Sequence, residues 1–417
     1  MTTGRVAVLR GSDVVTSAQL EKLTDASLLA GADEPGRVVP IVDSNPVRSL
    51  ATARAVRAAG GVPLLGDDRW DAGFWTRLRE FAESVPPAPG AQWATFTSGS
   101  TGTPRVVVRS DRSWAMSFPT VTGLLDLTQD DVVYLPAPLA SSMSLFSVIH
   151  ALSAGAAVRL PQAHTVTALD LADATVMHAT PTATGAVLDL IERGAAHRLR
   201  VALVGGARIE NALRRRAAAV GIRVVSYYGA AELSFVAVDV DGTGLRAFDG
   251  VELRVADGEL WVRSSTFAAG YVGDATGSFR RDDQGWGTVG DLAELTESGT
   301  VELHGRADGA ILTAAATVVP EDVEAALRSI PGVEDAVVFG LPNAGAGSLV
   351  AAVVQTSADY PRPSASELRE HARTRLAGTH LPRRWFWAQQ LPRTTTGKPA
   401  RAQIRDDVMS EKTVRLE

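Results

Sequence analysis

The 417-residue chain contains no cysteine. Disulfides, thiolate metal sites and a cysteine nucleophile are therefore excluded. Lysine is nearly absent too: of 41 basic residues only Lys22, Lys398 and Lys412 are lysines. Such a bias points to an Ala- and Arg-rich genome and not to a function, yet it gives weight to any lysine that stands inside a motif. No uninterrupted apolar run of roughly 18 residues or more occurs, so no membrane span is expected. The opening segment MTTGRVAVLRGSD lacks the apolar core of a signal peptide, and the plain expectation is a cytoplasmic protein. With a net charge of -6 the chain is not a dedicated nucleic-acid binder, although one basic site on an acidic protein still takes a small anion.

What is present fits an ordinary globular protein: 45% hydrophobic and 21% charged residues. At roughly 100–200 residues per domain, two or three domains are expected. Residues 37–67 read as strand, Ala-rich helix and strand, a βαβ pattern. Between 132 and 228, apolar runs at 132–135, 156–160, 174–177, 201–204 and 224–226 alternate with helical stretches such as 182–193 and 209–220. That alternation favours a parallel sheet covered by helices. After about Phe235 short strands follow one another across Gly and Asp turns, the texture of an antiparallel, partly barrel-like unit. Beyond Arg306 the pattern is α+β, with helices expected over 320–329 and 364–376. The expected fold class is α/β: a large N-terminal domain, 1–305, of parallel αβ layers plus a β-barrel-like part, and a small α+β C-terminal domain, 306–417.

Six segments carry candidate chemistry. In Thr97-Ser98-Gly99-Ser100-Thr101-Gly102-Thr103-Pro104-Arg105, hydroxyls and glycines alternate and a cation closes the run. Glycines let a backbone approach an anion, and hydroxyls and free N–H groups donate to phosphate oxygens. The run does not match the G-x-x-x-x-G-K-[ST] phosphate loop, and alone it reads equally well as a Ser/Gly surface loop. Gly205-Gly206-Ala207 is a turn after a strand, and Tyr227-Tyr228-Gly229-Ala230-Ala231-Glu232 joins aromatic faces to a carboxylate. Gly290-Asp291, Gly305-Arg306-Ala307-Asp308 and Thr394-Thr395-Thr396-Gly397-Lys398 complete the series. Each is an ordinary turn by itself.

Taken in order, the six resemble the motifs of the adenylate-forming superfamily, which includes acyl-CoA synthetases, luciferases and the adenylation domains of peptide synthetases. The resemblance spans roughly residues 37–405, with a short segment before the first motif that suggests a trimmed N-terminal subdomain. It implies activation of a carboxylic acid with ATP and Mg²⁺, then transfer of the acyl group to CoA or to the phosphopantetheine arm of an acyl carrier protein. By that resemblance Lys398 bridges the carboxylate and the α-phosphate, Glu232 holds Mg²⁺ and Thr101 acts with them. The nucleotide falls to Thr97, Ser98, Gly99, Ser100, Gly102, Thr103, Arg105, Gly205, Gly206, Ala207, Tyr227, Tyr228 and Gly229. Within that set Tyr228 stacks on adenine, while Asp291 accepts from the ribose hydroxyls and Arg306 contacts ribose or phosphate. Ser142, His178, Ala179 and Ala230 fall near the acid, and Asp308 is the pivot of a mobile small domain.

The chain also departs from that pattern. Arg105 and Val106 replace a usual Lys-Gly, and Ala231 replaces the threonine before the glutamate. No acid occurs over 141–147, which disfavours an α-amino acid substrate. Ala315 matches a position where relatives carry a glycine beside the pantetheine thiol, so an amine or other small nucleophile is the alternative acceptor. A non-catalytic binding relative is the reading from another class. A nicotinamide enzyme ranks far below, since no G-x-G-x-x-G follows the first strand. Lys398→Ala separates enzyme from binder: adenylation is expected to fall on the order of 10²-fold or more, as when a transition-state charge partner is lost. Pyrophosphate release at the unchanged rate would remove Lys398 from catalysis.

Overall fold

The structure, a computed structural model, describes residues 4–23, 34–68, 72–86, 88, 90–97, 105–163, 165–207, 209–273, 278–306, 309, 311–312, 317–318, 320–343, 347–357, 359–376, 380–394 and 397–416. Its centre is a run of parallel strands in the spatial order Val6–Arg10, Ala157–Leu160, Val132–Tyr134, Val176–Ala179, Val201–Val204 and Arg223–Ala230. Strands such as Val201–Val204 are buried at every position, as expected for a sheet covered on both faces. Helices Ser142–Ser153, Pro181–Glu192 and Asn211–Ala219 make the connections, the second opening on Pro181 behind a Thr180 cap.

The order of these strands decides where a ligand can sit. From Val132–Tyr134 the chain moves outward to Ala157–Leu160, then returns to the other side of Val132–Tyr134 with Val176–Ala179. The connections leave to opposite sides there, opening a crevice beyond the carboxyl ends of the two strands, the general ligand site of open α/β sheets.

Two features differ from the sequence expectation. The strand expected over 224–226 runs from Arg223 to Ala230, because its second half pairs antiparallel with Ser234–Asp239 after its first half pairs with Val201–Val204. The N-terminal hairpin Val6–Arg10/Asp13–Thr16, which the sequence reading does not include, attaches to the edge of the parallel sheet. Beyond Ser234–Asp239 the sheet continues through Leu245–Ala247, Thr300–Arg306, Asp291–Leu295, Glu259–Arg263 and Trp286–Thr288, all antiparallel.

A second sheet holds Val38–Ile41, Val62–Leu65, Trp93–Thr97, Arg105–Arg109 and Gly270–Tyr271. The first three are parallel, and Trp93–Thr97 pairs antiparallel with Arg105–Arg109, so the Ser/Gly/Thr run is the connection of a hairpin.

The C-terminal part has its own core, built from residues such as Val323, Leu327, Val338, Val350, Leu368 and Trp385. Its sheet comprises Val333–Asn343, Gly347–Thr356, Arg384–Ala388 and Val414–Arg415. Helix Arg401–Met409, just past Lys398, is tied to helix Pro320–Arg328 by Arg401, which binds both oxygens of buried Glu324 and lies 2.6 Å from Oε2. The backbone N–H of Val338 donates to the same carboxylate at 2.8 Å. Arg401→Met would strip buried Glu324 of its hydrogen-bonded cation, leaving only Arg328 at 3.9 Å, a loss on the order of 3 kcal/mol. Urea denaturation of the full chain is expected to show it, with Arg401→Met/Glu324→Leu recovering part of the loss.

Candidate active site

Lys398 stands at the crevice. A Cβ built on Gly206 would lie 3.8 Å from Lys398 Nζ and 3.8 Å from Thr180 Cγ2, and one on Gly397 would lie 3.9 Å from Thr182. The lysine loop of the small domain thus packs on the turn after Val201–Val204 and on the start of helix Pro181–Glu192. The loop is held in shape from behind. Thr394 N–H donates to the Lys398 carbonyl at 2.7 Å, Arg393 Nη1 donates to the Gly397 carbonyl at 3.0 Å, and Arg393 Nη2 donates to Asp335 at 2.7 Å. Thr395 and Thr396 lie outside the described residues.

The two tyrosines of the aromatic motif point to opposite faces, as neighbours on a strand do. The Tyr228 hydroxyl donates to Asp291. Asp291 opens strand Asp291–Leu295 and pairs with Arg306, so the residues assigned to ribose and phosphate face each other across one ladder. Tyr227 instead turns toward Gly205 and His178. At Gly205 a Cβ would come within 2.2 Å of the Tyr227 ring, so only glycine fits there. The Tyr227 hydroxyl is 2.9 Å from His178 Nε2, and His178 Nδ1 meets Ser147 Oγ.

After Gly229 the chain makes a tight turn, closed by Leu233 N–H to the Ala230 carbonyl at 3.1 Å, with Ser234 at φ 65°. Glu232 lies within this turn, nearly buried, and its Oε1 accepts from the Tyr271 hydroxyl at 2.8 Å. Behind it lies Arg109, a fully buried guanidinium. Arg109 Nε donates to the Ala231 carbonyl at 2.9 Å, and Nη1 donates to the Thr266 carbonyl at 2.8 Å and to Ser113 Oγ at 3.1 Å. Burial lowers the Arg109 pKa to about 9, partly offset by attraction to Glu232, so it remains a cation at neutral pH. Among the described residues no cluster of three or more His, Cys, Asp or Glu side chains forms. A single carboxylate suits an ion whose other ligands are phosphate oxygens and water, which is how Mg²⁺ is usually held.

Ser98, Gly99, Ser100, Thr101, Gly102 and Thr103 lie outside the described residues, as do Asp308 and Ala315. The frame of that first motif is described: Thr97 pairs with Arg105, and Phe96 bridges to Ser141. Ser141 caps helix Ser142–Ser153 by accepting from Ser144 N–H at 3.1 Å, which sets half-buried Ser142 on the first turn, beside the crevice. The strand that leads into the Ser/Gly/Thr run therefore borders the switch point. Ala230 ends its strand next to Glu232. Ala179, expected near the acid, turns the other way. Strand alternation puts its methyl in the core with Val187 and Val204, while His178 takes the crevice face. The sequence pattern does not point to Arg109 or Ser147, which the structure places beside Glu232 and His178. The signal for Arg109 was an arginine closing an otherwise apolar strand, RVVVR.

These elements are those of a nucleotide-dependent acid-activating enzyme, and comparison with known proteins agrees. The model of the AMP-binding enzyme family matches residues 6–272, and that of the AMP-binding enzyme C-terminal domain matches residues 322–398, ending on Lys398. The chain belongs to the AMP-binding enzyme family. It is 30% identical over 333 residues to the uncharacterized acyl-CoA ligase YhfT of Bacillus subtilis, covering 74% of this chain and 67% of that one. It is 28% identical over 338 residues to the long-chain-fatty-acid–CoA ligase FadD13 of Mycobacterium tuberculosis, covering 75% and 66%. Its fold superposes on o-succinylbenzoate CoA synthetase (MenE) from Bacillus subtilis, solved with the acyl-adenylate intermediate OSB-AMP, with a TM-score of 0.81 over 97% of this chain and 96% of that chain at 20% identity. No helix among the described residues is long and apolar enough to cross a membrane.

Burial lowers the pKa of His178 to about 3, with His150 adding repulsion, and lowers that of His150 to about 4. Both are neutral when folded at pH 5–7, whereas the unfolded chain takes up protons below about 6.5. The unfolded state then binds more protons, so stability falls as pH drops from 7 to 5, before ordinary carboxylates titrate. Denaturant midpoints across that range are expected to decline. His150→Gln should make the decline about half as steep, since one of the two protons is removed from the balance.

Proposed function

We infer that this chain is an AMP-forming acid ligase: it activates a carboxylic acid with ATP, releases pyrophosphate, and passes the acyl group to the thiol of CoA. The observation that carries the reading is Lys398, one of only three lysines, brought against Gly206 and Thr180 at the crevice of the parallel sheet. In the first half-reaction a carboxylate oxygen attacks the α-phosphorus and the bond to the pyrophosphate oxygen breaks. Negative charge gathers between carboxylate and α-phosphate, where a compact ammonium on a flexible stem is apt. Tyr228 takes the adenine against its ring and Asp291 accepts from the ribose hydroxyls, a reading supported by the hydrogen bond that joins the two side chains. The 98–104 segment and Arg105 take the phosphates. Glu232 would hold Mg²⁺, which supplies neutralisation of the triphosphate and of the departing pyrophosphate.

In the second half-reaction the thiolate attacks the acyl carbonyl and AMP leaves. The small domain, beginning near residue 306, withdraws Lys398 by turning about Asp308 to admit that thiol. A carrier-protein pantetheine arm is the other thiol of this class, and Ala315 keeps an amine acceptor in view.

The test is pyrophosphate release with a panel of acids, with hydroxylamine as a trap and then with CoA in its place. Acid-dependent hydroxamate and a CoA thioester are expected, both abolished by EDTA and restored by Mg²⁺. Hydroxamate without thioester would keep the first half-reaction and overturn CoA as the acceptor. ATP binding with no pyrophosphate from any acid would favour a binding protein.

A further inference from the structure

The Glu232 carboxylate ends a flexible side chain on a tight turn, so a neighbour has to set its direction. The segment around Gly270–Tyr271 holds this residue twice. Ala268 N–H donates to the Glu232 carbonyl at 2.7 Å, and the Tyr271 hydroxyl donates to Oε1 at 2.8 Å. Between these contacts the segment is itself a strand of the second sheet. Ala269 N–H donates to the Val108 carbonyl and Val272 N–H to the Val106 carbonyl, both at 2.9 Å, and Tyr271 pairs with Val107. One short strand therefore ties both the main chain and the carboxylate of Glu232 to Arg105–Arg109, the strand that leaves the Ser/Gly/Thr run.

The phenol is oriented as well as placed. Its oxygen accepts from Phe279 N–H at 3.3 Å, and a phenol has a single proton, so that proton is turned to the carboxylate. Among the described residues no other hydrogen bond reaches the Glu232 carboxylate, which leaves Oε2 over. A competing pull comes from Arg109. Its buried charge attracts Glu232, and its Nη2 has no hydrogen-bond partner among the described residues. A carboxylate released by the phenol would be drawn to that guanidinium, since charge-assisted pairs of this kind are strong.

We propose that Tyr271 is a positioning residue for adenylation: its hydroxyl holds Glu232 by Oε1, off the Arg109 guanidinium, so that the other oxygen is presented to the Mg²⁺ that accompanies ATP. This assignment rests on the adenylating reading above.

The experiment is calorimetric binding of α,β-methylene-ATP, which cannot release pyrophosphate, to the full chain in MgCl₂ and in EDTA. The ratio of the two affinities is the gain due to the ion. Native protein is expected to show a gain, and Glu232→Gln to lose it. Tyr271→Phe removes one hydroxyl from a half-buried ring. It is expected to cut the gain roughly tenfold or more, as loss of a group that orients a metal ligand does, with the affinity in EDTA kept within about twofold. Pyrophosphate release with an acid present should then need roughly tenfold more Mg²⁺ for half its maximal rate. Binding in EDTA also shows that the variant is folded, and Tyr271→Met is the second variant that lacks the hydroxyl. A native-sized gain in either folded variant overturns the proposal. So does an equal loss with and without Mg²⁺, which a merely structural role would give. A gain that survives in Glu232→Gln takes the ion from Glu232 and sinks the proposal, while acid-dependent pyrophosphate release would leave the adenylating reading standing. An analogue that native protein does not bind at all overturns both.

Discussion

One buried cation fixes the spacing on which the site depends. Arg109 ends the strand that follows the Ser/Gly/Thr run, and it reaches across to the carbonyls of Ala231, in the turn after Arg223–Ala230, and of Thr266, beyond Glu259–Arg263. The Ser/Gly/Thr run connects two strands of one sheet, while the Glu232 turn belongs to the other. A guanidinium can make several donations in a rigid plane, so its position dictates where the glutamate turn lies relative to the hairpin. Full burial of a charge is costly unless it is well paired, and here the pairing is with main-chain carbonyls and an adjacent carboxylate. Nη2 has no hydrogen-bond partner among the described residues.

The crevice then follows from topology. Because the strand order reverses beside Val132–Tyr134, the loops leading to Ser142 and Thr180 diverge, and Gly205-Gly206 borders the gap. Three segments far apart in sequence meet there, and the small domain adds Lys398 as the fourth. Its loop is shaped by Arg393 and Asp335, and the adjoining helix is fastened by Arg401 to Glu324. The lysine is thus carried on a body with its own core.

Much of this was legible in the sequence. The parallel strands announced themselves as apolar runs at regular intervals, and the six motifs appeared in family order. Facing was not legible. Tyr227 and Tyr228 are chemically alike, and which of them meets Asp291 is set by the pairing of their strand with Val201–Val204 and Ser234–Asp239, including an irregularity at Tyr228/Gly229. The same is true of His178 and Ala179, one residue apart and on opposite faces. Arg109 showed only as an arginine at the end of RVVVR; two of its partners are main-chain carbonyls, which every residue has, so the sequence did not tell what it binds.

The scarcity of lysine has a practical consequence. Amines on lysine occur at positions 22, 398 and 412 alone, and Lys22 and Lys412 are exposed. An acylating or alkylating reagent therefore has two accessible reference amines and one sheltered against Gly206. The labelling of Lys398 relative to those two, read by mass spectrometry without adding a probe, reports how accessible the lysine is beside Gly206.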